Sequence, residues 1–81
     1  MKIPRDLSGE DLANVLKKFG YRVNRQSGSH MRLTTQEQGE HHVTIPRHHT
    51  VRIGTLAGIV QDVANHLKIA RDEFLQRLFG K

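Results

Sequence analysis

The sequence predicts an α+β fold: a three-stranded antiparallel sheet with helices on one face and the other face open. Three observations carry this expectation. Apolar residues recur at helical spacing early in the chain and again after Gly54. Between those stretches the period drops to two over three short runs, the pattern of half-buried strands. The strand runs are joined by short turn sequences, which makes the sheet a meander. The 81 residues read as one domain spanning residues 1–81, with a thin core, since so short a chain buries only about 60 to 65% of its unfolded surface.

The first helix is expected over about residues 8 to 19. Leu12, Val15, Leu16 and Phe19 share one side, with Asn14, Lys17 and Lys18 on the other. Ser8 can cap its start, Asp11 stands at the third helical position, and Leu7 can staple onto Leu12. Gly20 supplies the stop.

From Tyr21 the alternation takes over. Tyr21 and Val23 alternate with Arg22 and Asn24, Met31 and Leu33 with His30, Arg32 and Thr34, and Val43 and Ile45 with His42 and Thr44. Turns are expected at Gln26 to Ser29 and at Glu37 to Gly39, the second as a three-residue loop with Gly39 left-handed. With that loop Leu33 opposes Val43 and Met31 opposes Ile45, because a one-residue slip would turn every apolar side chain outward. The open face then gathers Arg22, Asn24, Gln26, His30, Arg32, Thr34, His42 and Thr44, a polar and basic set without a carboxylate.

Pro46 ends the third strand, "RHHTVRIG" reads as a basic loop, and "TLAGIVQDVANHLKI" resumes the helical period through Leu56, Ile59, Val60, Val63 and Leu67. The tail "ARDEFLQRLFGK" adds a short third helix with Phe74, Leu75 and Leu78 in one stripe. Ala70 precedes it without a capping side chain, an omission worth about 1 kcal/mol.

Composition narrows the partner. Thirteen Lys and Arg against eight Asp and Glu give a net charge of +5 before any of the six His is counted. An acidic partner follows, and nucleic acid is the commonest, because each neutralised phosphate releases counterions. Cysteine is absent, so neither disulfides nor thiolate metal sites are available. The first residues lack the apolar run of a signal peptide, and no stretch approaches the roughly 18 apolar residues of a membrane helix. The expectation is a soluble, cytoplasmic protein with no membrane partner.

The six His do not read as a metal centre. His41-His42 and His48-His49 are adjacent pairs, and neighbours on a strand point to opposite faces. No helix carries His at i and i+4. No metal and no cofactor is therefore expected. His66 lies beside Val63 and Leu67 on the second helix as a structural group, and His41 is expected on the apolar side near the hairpin end, edging the core without a role.

His30 differs. Gly28-Ser29-His30-Met31 spells the remnant that tag removal leaves, but a patterned helical segment precedes it and its alternation continues into the strand, so it reads as native. Small residues in front leave His30 accessible, it opens a strand on the polar face, and Arg32 follows two residues on. A neutral imidazole can take the proton of a ribose 2′-hydroxyl, and a guanidinium can stabilise charge on the attacked phosphate, with no metal required.

The ordered segments "VLKKFGY", "GSHMRL", "IPRH", "GTLAGIV" and "DEFLQRL" resemble the HicA toxins of HicA/HicB toxin-antitoxin modules, also described as YcfA-like proteins. That resemblance covers most of the chain. It implies a double-stranded-RNA-binding-domain-like α-β-β-β-α fold, here with a short extra C-terminal helix. It also implies an mRNA interferase, an endoribonuclease restrained by a HicB-like antitoxin. The family's catalytic His of the Gly-Ser-His motif corresponds to His30, and His48 matches its Pro-x-His segment. Arg22, Ser29, Arg32, Arg47 and His48 are the expected RNA contacts. "GTLAG" lacks the lysine cluster with which duplex binders grip phosphates, so the expected substrate is single-stranded mRNA. The competing reading is a non-catalytic RNA-binding module using the same basic face.

Overall fold

Ser8 begins the first helix as its sequence position suggests, its hydroxyl accepting a hydrogen bond from the Asp11 N–H at 3.0 Å. The computed structural model describes residues 4–80. Helix α1 runs Gly9–Leu16 and tightens into a 3₁₀ turn over Lys17–Phe19. Gly20 then takes the left-handed conformation, φ 87°, that closes it. Strands β1 (Arg22–Ser27), β2 (His30–Thr35) and β3 (His41–Pro46) follow, then α2 (Ile53–Leu67) and α3 (Arg71–Phe79). The architecture is α+β, in the order helix, three strands, two helices.

The sheet is an antiparallel meander in the order β1-β2-β3. Leu33 pairs with Val43 and Met31 with Ile45, the register that the apolar alternation requires. These four side chains are buried, whereas Arg32 and Thr44 between them are exposed. Two turns differ from expectation. The first shrinks to Gly28-Ser29 because Ser27 and His30 already pair, and Gly28 alone has positive φ, 56°, the glycine-first pattern of a two-residue II′ hairpin. The second widens to residues 36–40, since Thr35 and His41 form the last pair; Gly39 is left-handed at φ 97°, as its sequence position implied.

The larger difference lies in β1. Val23 pairs with Leu33, but the next pair is Arg25 with Arg32, so Asn24 is the extra residue of a β-bulge. The bulge turns the rest of the strand over. Arg25 and Ser27 join the open face, and Gln26 moves to the helix side opposite Met31. Residues 24–27 contain no apolar side chain to select a face, so the expected regular alternation through Asn24 and Gln26 had nothing to enforce it.

One apolar cluster joins the layers. Leu12 and Leu16 of α1, Leu33 and Ile45 of the sheet, Leu56, Val60 and Val63 of α2, and Phe74 and Leu75 of α3 are all fully or almost fully buried. Tyr21 and the loop residue Val51 enter it too. Phe19 meets Phe74 edge-on with ring centres 5.0 Å apart, tying the end of the first helical segment to α3. Helix α3 lacks a side-chain cap at Ala70, as expected, and starts on the Phe74 N–H to Ala70 carbonyl bond of 2.9 Å.

Tyr21, His41, Asp62 and His66 close the hairpin end of the sheet onto α2. The Tyr21 hydroxyl lies 2.8 Å from His41 Nδ1, and His41 Nε2 lies 3.3 Å from an Asp62 oxygen. The carboxylate can only accept, so Nε2 carries the proton and Nδ1 accepts from tyrosine. The His41 ring stacks on His66 at 4.3 Å, and His66 Nε2 donates to the Glu37 and Gly39 carbonyls at 2.9 and 3.0 Å. His41 thus does more than edge the core.

Burial, followed by the Asp62 charge, pushes the Tyr21 phenol up to about 12. Tyr21 is the single tyrosine and tryptophan is absent, so its phenolate absorbance can be followed alone. The folded protein is expected to titrate near pH 12 and the denatured chain near 10. The raised value means that the neutral phenol's contribution to stability is complete below about pH 10 and is lost as pH rises through 12. Asp62→Asn should move the folded midpoint downward.

Candidate nucleic-acid interface and active site

His30 opens β2 directly after the Gly28-Ser29 turn, and its side chain is exposed on the face away from the helices. Among the described residues its one side-chain hydrogen bond is long, 3.5 Å from Ser29 Oγ to Nδ1. The tight turn leaves no bulky neighbour in front of the ring. His30 is paired with Ser27 on one side and Pro46 on the other. Two residues along, about 7 Å on the same face, Arg32 lies between Arg25 and Thr44.

The remaining expected residues divide into two groups. Ser29 and Arg47 come together with His30: the Arg47 N–H donates to the Ser29 carbonyl, carrying the β2–β3 ladder past Pro46. The Arg47 guanidinium turns back toward α1 and pairs with Glu10 at 2.9 Å. His48 follows it into a cleft lined by Ser8, Glu10, Arg47, His48 and His49, beside the hairpin end that carries His30. The His48 carbonyl accepts from the Gly9 N–H at 3.0 Å, so the start of α1 holds this loop in place.

Arg22 stands apart. It pairs with Thr34 near the far end of β2, and its guanidinium donates to the Lys17 and Tyr21 carbonyls at 3.1 and 2.9 Å. Its charge still adds to the face, but its donors are engaged with the backbone.

Arg25 is the residue that sequence reasoning missed. Alternation through β1 placed it on the helix side, and only the bulge at Asn24 sets it opposite Arg32. The one available hint was the lack of any apolar residue after Val23 in that strand.

The face also holds a carboxylate that the expected set lacked. Thr34 Oγ1 lies 2.7 Å from His42 Nδ1, and His42 Nε2 donates to Glu40 at 3.0 Å. That bond, with a weaker one from Gln36, holds the Glu40 carboxyl below the usual carboxylate range. The Arg32 charge also acts on this carboxylate, though no ion pair joins the two.

His41 and His42 diverge, one to Tyr21 and Asp62 beside α2, the other to Thr34 and Glu40 on the open face. Among the described residues, no group of three or more His, Asp or Glu side chains is placed to hold a metal ion. Among them, too, no helix is long and apolar enough to cross a membrane.

The sequence profile of the family described as HicA toxin of bacterial toxin-antitoxin matches residues 9–70, from the first residue of α1 to the residue preceding α3. The match takes in the Gly-Ser-His turn, the whole sheet and the His48 loop. Comparison with curated proteins and with solved structures returns no match.

Proposed function

The chain belongs to the HicA toxins of bacterial toxin-antitoxin systems, and from that membership we propose that it acts as an endoribonuclease on single-stranded mRNA, with His30 as its catalytic base. Toxins of this kind are paired with an antitoxin, which makes a cognate HicB-like antitoxin its protein partner. The observation that carries the nuclease reading is the accessible His30 imidazole beside Arg32 on an open, basic sheet face.

In the proposed reaction, neutral His30 accepts the proton of a ribose 2′-hydroxyl. The O2′ lone pair attacks the adjacent phosphorus, and the P–O5′ bond breaks to leave a 2′,3′-cyclic phosphate and a 5′-hydroxyl end. Arg32 takes up charge on the non-bridging oxygens as it develops. The leaving oxygen gains its proton from water or from a second His. Ser29, Arg47 and His48 hold the RNA around the turn, and Arg22 adds long-range attraction.

Cleavage of RNA by wild-type and His30→Ala protein, each with and without EDTA, tests this reading. Wild type should cut in EDTA and the variant should not. Equal cleavage by the variant removes His30 from the chemistry, and loss of wild-type cutting in EDTA brings a metal into it. RNA binding without cleavage by either protein identifies a binding module instead.

A further inference from the structure

We infer that Arg25 and Arg32 together form a phosphodiester-binding site beside His30, an inference that rests on RNA being the substrate. The two arginines are directly opposite across β1 and β2 on the open face. Paired positions bring Cβ atoms within about 5 Å, where like charges repel and weaken the sheet. Among the described residues, neither guanidinium has a carboxylate within ion-pair distance or a side-chain hydrogen bond. Among the same residues Arg22, Arg47, Arg71 and Arg77 have partners and Arg5 and Arg52 do not, so it is the placement of Arg25 opposite Arg32 that sets this pair apart.

The bulge at Asn24 creates this juxtaposition. A regular ladder would bring Asn24 opposite Arg32 and turn Arg25 toward α1; the extra residue instead sets two arginines opposite each other on one face. A phosphodiester offers two non-bridging oxygens carrying one negative charge, and each can accept from one guanidinium fork. Binding it removes the repulsion that the free sheet carries. The next pair along the same face is Ser27 with His30, about 7 Å away. The phosphate held between the arginines is therefore the one that the O2′ deprotonated by His30 attacks, with Arg25 joining Arg32 on its non-bridging oxygens. Arg25 is a substrate-binding residue, and Arg32 shares its ligand.

The test measures fluorescence anisotropy of a labelled single-stranded RNA 20-mer over a KCl series. It uses His30→Ala protein so that nothing is cut. Adding Arg25→Gln should weaken binding about tenfold and lower the magnitude of the salt slope by about 0.7 to 1. Arg77→Gln, which removes the same charge from α3, should change affinity less than about twofold. Arg25→Lys, keeping the charge and losing the fork, should keep the slope and recover part of the affinity. Without RNA, Arg25→Gln should raise Tm by about 1 to 5 °C as the repulsion is removed, a gain that a merely structural arginine would not give. If Arg25→Gln binds as tightly as Arg77→Gln, or with an unchanged slope, the inference falls while RNA remains the substrate. If the His30→Ala protein binds no RNA even at low salt, the substrate assignment falls and this inference falls with it.

Discussion

Purified protein carrying His30→Ala is expected to cleave RNA about 100- to 10,000-fold more slowly than wild type, the range that a positioned acid-base group supplies. Its fold should be unaffected. The residue is exposed and, among the described residues, its side chain hydrogen-bonds only Ser29 Oγ, at 3.5 Å, so no buried hydrogen bond or cap is lost. Surface changes of this sort move stability by about 0.5 kcal/mol or less. Activity and stability therefore separate at this position. Thermal melts of the two proteins should overlay while their cleavage time courses do not. Expressed without antitoxin, wild type should arrest growth with loss of transcripts, and the variant should permit both growth and intact RNA. Matching arrest by the two would mean that toxicity does not pass through this imidazole.

Gly9→Ala is expected to destabilise the fold through a single added methyl group. Gly9 is the first residue of α1, and a Cβ there would run into the Pro46 carbonyl oxygen, with the Arg47 Cα at 3.2 Å. Both obstacles are backbone, so neither can swing aside as a side-chain tip would. The helix start must lift from the end of β3, which costs about 1 to 3 kcal/mol. For a chain of this size that corresponds to a fall in Tm of about 5 to 20 °C. Gly58→Ala provides the contrast. It lies inside α2 with nothing within 4 Å of the new methyl, and should be neutral or stabilising by up to about 1 kcal/mol. Gly9→Ala should also slow RNA cleavage with His30 intact. The Gly9 N–H holds the His48 carbonyl, and Glu10 holds Arg47, so a displaced α1 moves the cleft beside the Gly-Ser-His turn. Equal melting temperatures for Gly9→Ala and Gly58→Ala would show that α1 and β3 do not meet so closely in solution.

The two glycines also show why some of the fold was legible in the sequence and some was not. Ser8 and Gly20 act on their own neighbours, through a cap and a left-handed turn, and their roles were readable from position alone. Gly9 acts on Pro46, 37 positions away, and nothing near it in sequence marks the contact. The same division runs through the sheet. Met31, Leu33, Val43 and Ile45 all needed burial, which left one register for β2 and β3, and that register is the one observed. Strand β1 had only Val23 to bury, and even that side chain remains 39% exposed. Its second half carried no preference between faces.

The candidate site divides likewise. Gly28-Ser29 before His30, and Arg32 two residues later, depend on a turn and a strand period, so their shared face followed from the sequence. Arg22 and Arg25 depend on what lies across from them. Arg22 is drawn to the Lys17 and Tyr21 carbonyls at the end of the first helical segment, and Arg25 is turned outward by the bulge. His66 was readable as structural and His41 only as an idle neighbour of the core, and neither as part of a stacked pair joining Tyr21, Asp62 and the hairpin carbonyls.

By itself, then, the sequence determined the α+β class, the helices, the β2–β3 register and the exposure of His30 beside Arg32. Each follows from short-range periodicity and the need to bury apolar side chains. The tertiary structure alone decided the Asn24 bulge, the Arg25–Arg32 pairing, the withdrawal of Arg22 and the contact of Gly9 with Pro46. In those places polar or absent side chains leave the local chain indifferent, and packing against distant backbone makes the choice.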